Sequence, residues 1–126
     1  MPRPYVPADI HQLLSTEFPP ERYPEMARAP EIAEGNLFEE LGGFAQLMQR
    51  AKKRSDWETY ARGAQLADRI YRNAYGSLLN AFAVGFLEHL DFNGPRGPKA
   101  WSLLTPDLQK LWQSLVTSFD REHKKT

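Results

Sequence analysis

The stretch NAFAVGFLEHLDF, residues 80–92, is the most apolar run in the chain. Placed in a helix over roughly residues 75–91, Leu78, Leu79, Phe82, Ala83, Phe86, Leu87 and Leu90 form a broad stripe. Ala81, Val84 and Gly85 extend that stripe almost all round. A helix that is apolar on nearly every side must be enclosed by other elements, so this segment predicts the most buried member of a bundle. No segment alternates with period two, and Val, Ile and Thr are scarce. No strand is therefore expected.

Other helices follow from the same period. Three prolines within residues 1–7 forbid a regular helix there and predict an extended arm. Pro7-Ala8-Asp9 then opens a short helix with Ile10, Leu13 and Leu14 on one face, and the Pro-rich FPPERYP, residues 18–24, ends it. Phe18, Tyr23 and Met26 are expected to pack the stretch to Pro30 over the core. Asn36 caps a helix over 36–54, with Glu39 completing a capping-box start and Lys52, Lys53 and Arg54 suiting its C-terminal dipole. Gly42-Gly43 inside it costs roughly 1 kcal/mol per glycine relative to alanine, so the helix bends there or something packs close to its backbone. Ser55-x-x-Glu58 predicts the cap of the next helix. The short break near 73–76 makes that helix and the apolar one an αα-hairpin. NGPRGPK, residues 93–99, is a loop, and Ala100 to Leu104 is a short apolar turn led by Trp101. Thr105-Pro106-Asp107 opens the last helix, whose tail over 121–126 should fray. The fold class is all-α. Residues 1–126 form a single-domain bundle of about five or six helices behind a Pro-rich N-terminal segment.

Functional chemistry is sparse. Glu88 and His89 are neighbours, so on a continuous helix they point apart: His89 falls about 20 degrees and Glu88 about 120 degrees from Phe82. They cannot act as a dyad. His89 reads as a half-buried residue on the stripe edge, and Glu88 as one half of a structural ion pair with an arginine from a neighbouring helix. His11, His89 and His123 have no second ligand at zinc spacing, no glycine-rich phosphate loop follows a strand, and no serine has a nucleophile context. Glu39-Glu40 reads as a solvated surface pair. Cysteine is absent, which excludes disulfides and thiolate chemistry. No cofactor, metal or catalytic residue is assigned, and a non-enzymatic protein is expected. The aromatic side chains read as core; exposed Trp or Tyr would instead anchor an interface.

Charge narrows the partners. Lysine plus arginine equals aspartate plus glutamate, 16 each, so a general nucleic-acid binder is disfavoured. Arg62, Arg69 and Arg72 do share a helical face. Residues 1–50 hold four basic and eight acidic side chains, and the remainder reverses that excess. The two parts can pair internally or present two charged faces. No apolar run approaches the ~20 residues of a membrane span, and the N-terminus has no apolar leader core, so the expected compartment is the cytoplasm.

Three segments carry a resemblance: LLSTEFPPERYPEM near the start, NLFEELGGFAQLMQRA in the middle, and VGFLEHL followed by the Trp-containing C-terminal helix. The chain resembles a family of small bacterial α-helical proteins of unknown function, several of which look like immunity proteins of secreted polymorphic toxins. That resemblance implies a single helical domain without enzymatic activity that binds one cognate toxin one-to-one and occludes its active site. The expected interface is the acidic set Glu31, Glu34, Glu39 and Glu40 with Tyr23 as aromatic anchor, since complementary charge speeds association. The alternative is an adaptor that binds a peptide through the 55–90 hairpin and its three arginines. A homodimer is compatible with either.

Overall fold

Phe44 stacks on Phe86 with ring centroids 4.3 Å apart, and Phe18 and Phe82 extend the contact to either side at 5.9 Å from Phe44 and 5.4 Å from Phe86. This aromatic row ties three helices of an all-α fold. The computed structural model describes residues 4–26 and 37–124, with side chains through 117. Among them lie α1 (Pro7–Glu17), α2 (Leu37–Lys53), α3 (Trp57–Asn73), α4 (Gly76–Gly85), α5 (Gly97–Ser102) and α6 (Pro106–Lys124), with 3-10 turns at Pro24–Met26 and Leu87–His89. The predicted bundle is present, and its expected hairpin is α3–α4.

The hub is α2, not the more apolar segment at 75–91. It touches α1, both 3-10 turns, α3 and α4. Leu41, Phe44, Ala45, Leu47, Met48 and Ala51 are buried along it. Position decides this: α2, with 17 residues, runs between α1, α3, α4 and both 3-10 turns, whereas α4 stops after 10. The glycine pair does not break it. Gly42 has open space around it, and close approach is made by glycines on the partners of α2. A Cβ on Gly63 of α3 would strike the sulfur of Met48, and one on Gly85 of α4 would lie 3.0 Å from the Phe38 ring.

The apolar helix itself ends early. Gly85 is its last residue, and Phe86 leaves the helical region at φ −121 and ψ −66. The following 3-10 turn keeps Leu87 and Leu90 buried, because residues three apart eclipse in that geometry. It turns Glu88 and His89 outward, and both are exposed. The half-buried His89 and the ion-paired Glu88 expected on a continuous helix are therefore corrected. Among the described residues Glu88 has no ion pair, because the break at Gly85 removes it from any neighbouring arginine.

Three arginines fasten the outer elements to α3. Arg62 donates from Nε to Glu17 Oε1 at 2.8 Å and from Nη2 to the Glu17 carbonyl at 2.9 Å, closing the end of α1. Arg69 Nε donates to the Tyr5 hydroxyl at 3.1 Å, and Tyr5 N donates to the Asn73 carbonyl at 2.8 Å. These two bonds hold the extended residues 4–6. Arg72 pairs with Asp68 at 2.7 Å and Asp107 at 3.5 Å, joining α6. Thr105 caps α6 as predicted: its hydroxyl accepts from Leu108 N at 3.3 Å while donating to Asp68 at 2.8 Å. The helix continues to Lys124, past the position where fraying is expected. Asn36, the predicted cap of α2, lies outside the described residues.

The turn between α2 and α3 also departs from expectation. Ser55 is not the cap. It sits at φ 59, the left-handed position that closes α2, with Ser55 N donating to the Lys52 carbonyl and Asp56 N to the Ala51 carbonyl. The cap passes to Asp56, which accepts from Thr59 N at 3.3 Å and from the Thr59 hydroxyl at 2.7 Å. On the far side, Phe92, Trp101 and Trp112 meet edge to face at 5.0 to 5.4 Å and seal the bundle below α5.

Two substitutions probe these turns by urea unfolding. Gly97→Ala drives its Cβ into the Phe92 carbonyl oxygen and is expected to cost about 1–3 kcal/mol. Ser55→Gly relieves the left-handed conformation and is expected to stabilise by about 1 kcal/mol.

Candidate functional site

Of the residues expected to form an interface, Tyr23 and Glu40 are engaged within the fold. Tyr23 packs edge-on against Phe18 at 5.1 Å, and its hydroxyl accepts from Arg62 Nη1 at 3.3 Å. It is half-buried and holds the α1 end in place. Glu40 is 9 % exposed and lies 2.7 Å from His11 Nδ1, so it ties α1 to α2 and is not a solvated surface residue. Glu39, next to it, is exposed. Glu31 and Glu34 lie outside the described residues. The 3-10 turn after Tyr23 is pinned to the other half of α2 by Glu25 and Arg50 at 2.8 Å. Arg50 is ten residues from Glu40, about 15 Å along the helix axis.

A different set of side chains does line one surface. On α2, Phe38, Gly42, Ala45, Gln46, Gln49 and Lys53 recur at three- and four-residue spacing and fall along one stripe. Opposite them stand His89, Asp91 and Asn93. Two hollows open along this seam. One, about 420 Å³, is lined by Gly42, Ala45, Gln46, Gln49 and His89. The next, about 310 Å³, shares Gln49 and continues over Lys52, Lys53, Asp91, Asn93, Pro95 and Arg96. Together they make a solvent-open groove. Its head is apolar: Phe38, one turn before Gly42 on the same stripe, is 55 % exposed. Its foot carries the exposed cations Lys53 and Arg96.

The groove wall is held by a polar knot. Lys52 is 9 % exposed, and its Nζ donates at 2.8 Å both to Asp91 Oδ1 and to the Asp91 carbonyl. Gln49 Nε2 donates to Asp91 Oδ2 at 2.7 Å, and Asn93 N to Oδ1 at 3.1 Å. The Lys52 hydrogen bond, with those from Asn93 and Gln49, holds the Asp91 carboxyl below its ordinary range against the opposing effect of burial. Nearby, burial first and the Asp91 charge second push the Tyr60 phenol far up, and it stays neutral. Its hydroxyl and Gln49 Oε1 are buried without a partner among the described residues.

Sequence reading assigned Lys52 to the helix dipole and missed this knot. A signal was present: Lys52 lies four residues after Met48 and eleven after Leu41, on the inner face. Asp91, its partner 39 positions away, carried no such mark. Among the described residues no group of three His, Cys, Asp or Glu side chains is placed to hold a metal ion, and no helix is long and apolar enough to cross a membrane.

Asp91 supplies an acid-sensitive test. Its folded pKa lies below the unfolded value of 3.8, so its stabilisation is complete above that value and is lost as pH falls through the lower, folded one. Asp91→Asn is expected to lower stability at neutral pH by about 1–3 kcal/mol by weakening the hold on a buried ammonium. It should also flatten the loss of stability below pH 3.8, read from urea midpoints across an acid series.

A family model described as Domain of unknown function (DUF7674) matches residues 11–119. No curated protein and no solved structure matches the chain.

Proposed function

We propose a non-catalytic, protein-binding role for this chain, which belongs to the DUF7674 family of domains of unknown function. The partner docks along the exposed stripe of α2. One observation carries the reading: Phe38 stands 55 % exposed on α2, one turn before Gly42, which lines an open hollow. A rigid aromatic anchor next to a recess is what interface hot spots are made of.

Much of the ionisable chemistry supports binding over catalysis, because it is spent on holding helices together. His11 faces Glu40, Lys52 faces Asp91, Arg62 faces Glu17 and Arg72 faces Asp107. The adaptor reading loses support for the same reason, since Arg62, Arg69 and Arg72 are engaged by Glu17, Tyr5 and Asp68. The resemblance to immunity proteins of polymorphic toxins names the partner within this proposal: a cognate toxin, bound one-to-one in the cytoplasm and neutralised by occlusion of its active site. Its contact then centres on Phe38, not on Tyr23 and Glu40.

The test is affinity capture of the full chain from its own host, then titration calorimetry on the captured protein. A single one-to-one partner is expected. Phe38→Asp should weaken that complex about 30-fold or more while leaving the urea midpoint of the free protein nearly unchanged. An undiminished affinity in Phe38→Asp removes the proposed surface.

A further inference from the structure

We infer that the groove along α2 takes an acidic segment of the partner, with carboxylates at the Lys53–Arg96 end and an apolar side chain at the Phe38 end. This rests on the binding role proposed above and adds the chemistry of what is bound.

Polarity along the groove comes first. Phe38 and Lys53 are fifteen residues apart on one helix, about 22 Å by its rise. Between them the α2 wall is small or uncharged, with Gly42, Ala45, Gln46 and Gln49. The groove therefore runs from an apolar head through a neutral middle to a cationic foot. A segment that matches it has an apolar anchor, a polar stretch and then acidic side chains.

The foot is built to face anions. Its one carboxylate, Asp91, is already saturated by Lys52, Gln49 and Asn93 N, so it has little capacity left for a partner's cation. Lys53 and Arg96 have no such counter-ion among the described residues. Arg96 is held by one edge: its Nε donates to Ser55 Oγ at 2.8 Å, which leaves the guanidinium end for a carboxylate. Its loop is stiffened by Pro95 and Pro98, while Gly94 supplies the left-handed turn at φ 79. The last carbonyls of α2 do not compete for these cations, since those of Ala51 and Lys52 accept from Asp56 N and Ser55 N. Paired cations at the rim of a recess on a protein of zero net charge create a local positive potential. The apolar head favours a polypeptide over a polyphosphate strand, which offers nothing to Phe38.

The acidic surplus of residues 1–50 pointed to the opposite partner, a basic surface. The described structure sets Glu17, Glu25 and Glu40 against Arg62, Arg50 and His11, so those carboxylates are committed internally.

Two fluorescein-labelled helical peptides provide the probe. They share a leucine anchor at one end and carry glutamates or lysines about 20 Å away. Anisotropy on the full chain should show the glutamate peptide binding at least about ten-fold tighter, with a preference that shrinks as salt rises. Lys53→Glu with Arg96→Glu should invert the preference, and the milder Lys53→Gln with Arg96→Gln should abolish it at an unchanged urea midpoint. Phe38→Asp should weaken both peptides alike. If both peptides bind equally and Phe38→Asp still abolishes binding, the groove reading stands and the acidic-segment inference falls. No binding of the glutamate peptide, tighter binding of a single-stranded oligonucleotide, or self-association of the chain through Phe38 each overturns it.

Discussion

The stacking of Phe44 on Phe86 is the contact on which the remaining geometry depends. Phe86 is the first residue beyond α4, so its ring fixes where the chain leaves that helix. Burial of such a pair contributes several kcal/mol, roughly 3–5 for each ring against alanine. That is large beside the helix propensity of any one residue, at most about 0.7 kcal/mol for ordinary side chains. Once Phe86 is seated, the 3-10 turn, the outward His89 and the extended stretch to Asp91 follow, and the groove acquires its second wall.

The knot at Asp91 then sets the width of that groove. Lys52 is a buried cation on the hub helix and would be costly without a partner. Its two bonds to Asp91 draw residues 90–93 against α2, and Gln49 adds a third tie. On the opposite side of α2, His11 and Glu40 make the corresponding tie to α1. Several charged residues, among them Glu17, Glu40, Lys52, Arg62 and Asp91, thus act as fasteners between elements. Phe38, Lys53 and Arg96 lie outside these ties and face the proposed partner.

Much of the fold was legible from the sequence because it rests on local physics. Helical spacing, the prolines at positions 7 and 106, the threonine cap at Thr105 and the break near Gly76 all act over a few residues. The α3–α4 hairpin and the final helix follow from them. The candidate site was far less legible. Glu40 looked solvated because the sequence around it is acidic, yet His11 from another helix covers it. Tyr23 looked like a free anchor and is engaged by Arg62. The groove joins α2 to residues roughly forty positions away, and no short-range pattern marks that pairing.

The sequence alone determined the all-helical class, the positions of most helix starts and the absence of thiol chemistry, since each depends on residue type or near-neighbour spacing. Tertiary structure decided which helix is the hub, where the apolar segment stops and which charges are buried in pairs. It also decided that one stripe of α2 stays open from Phe38 to Lys53. Those outcomes depend on contacts between segments distant along the chain, and the energy of such contacts is set by packing distance.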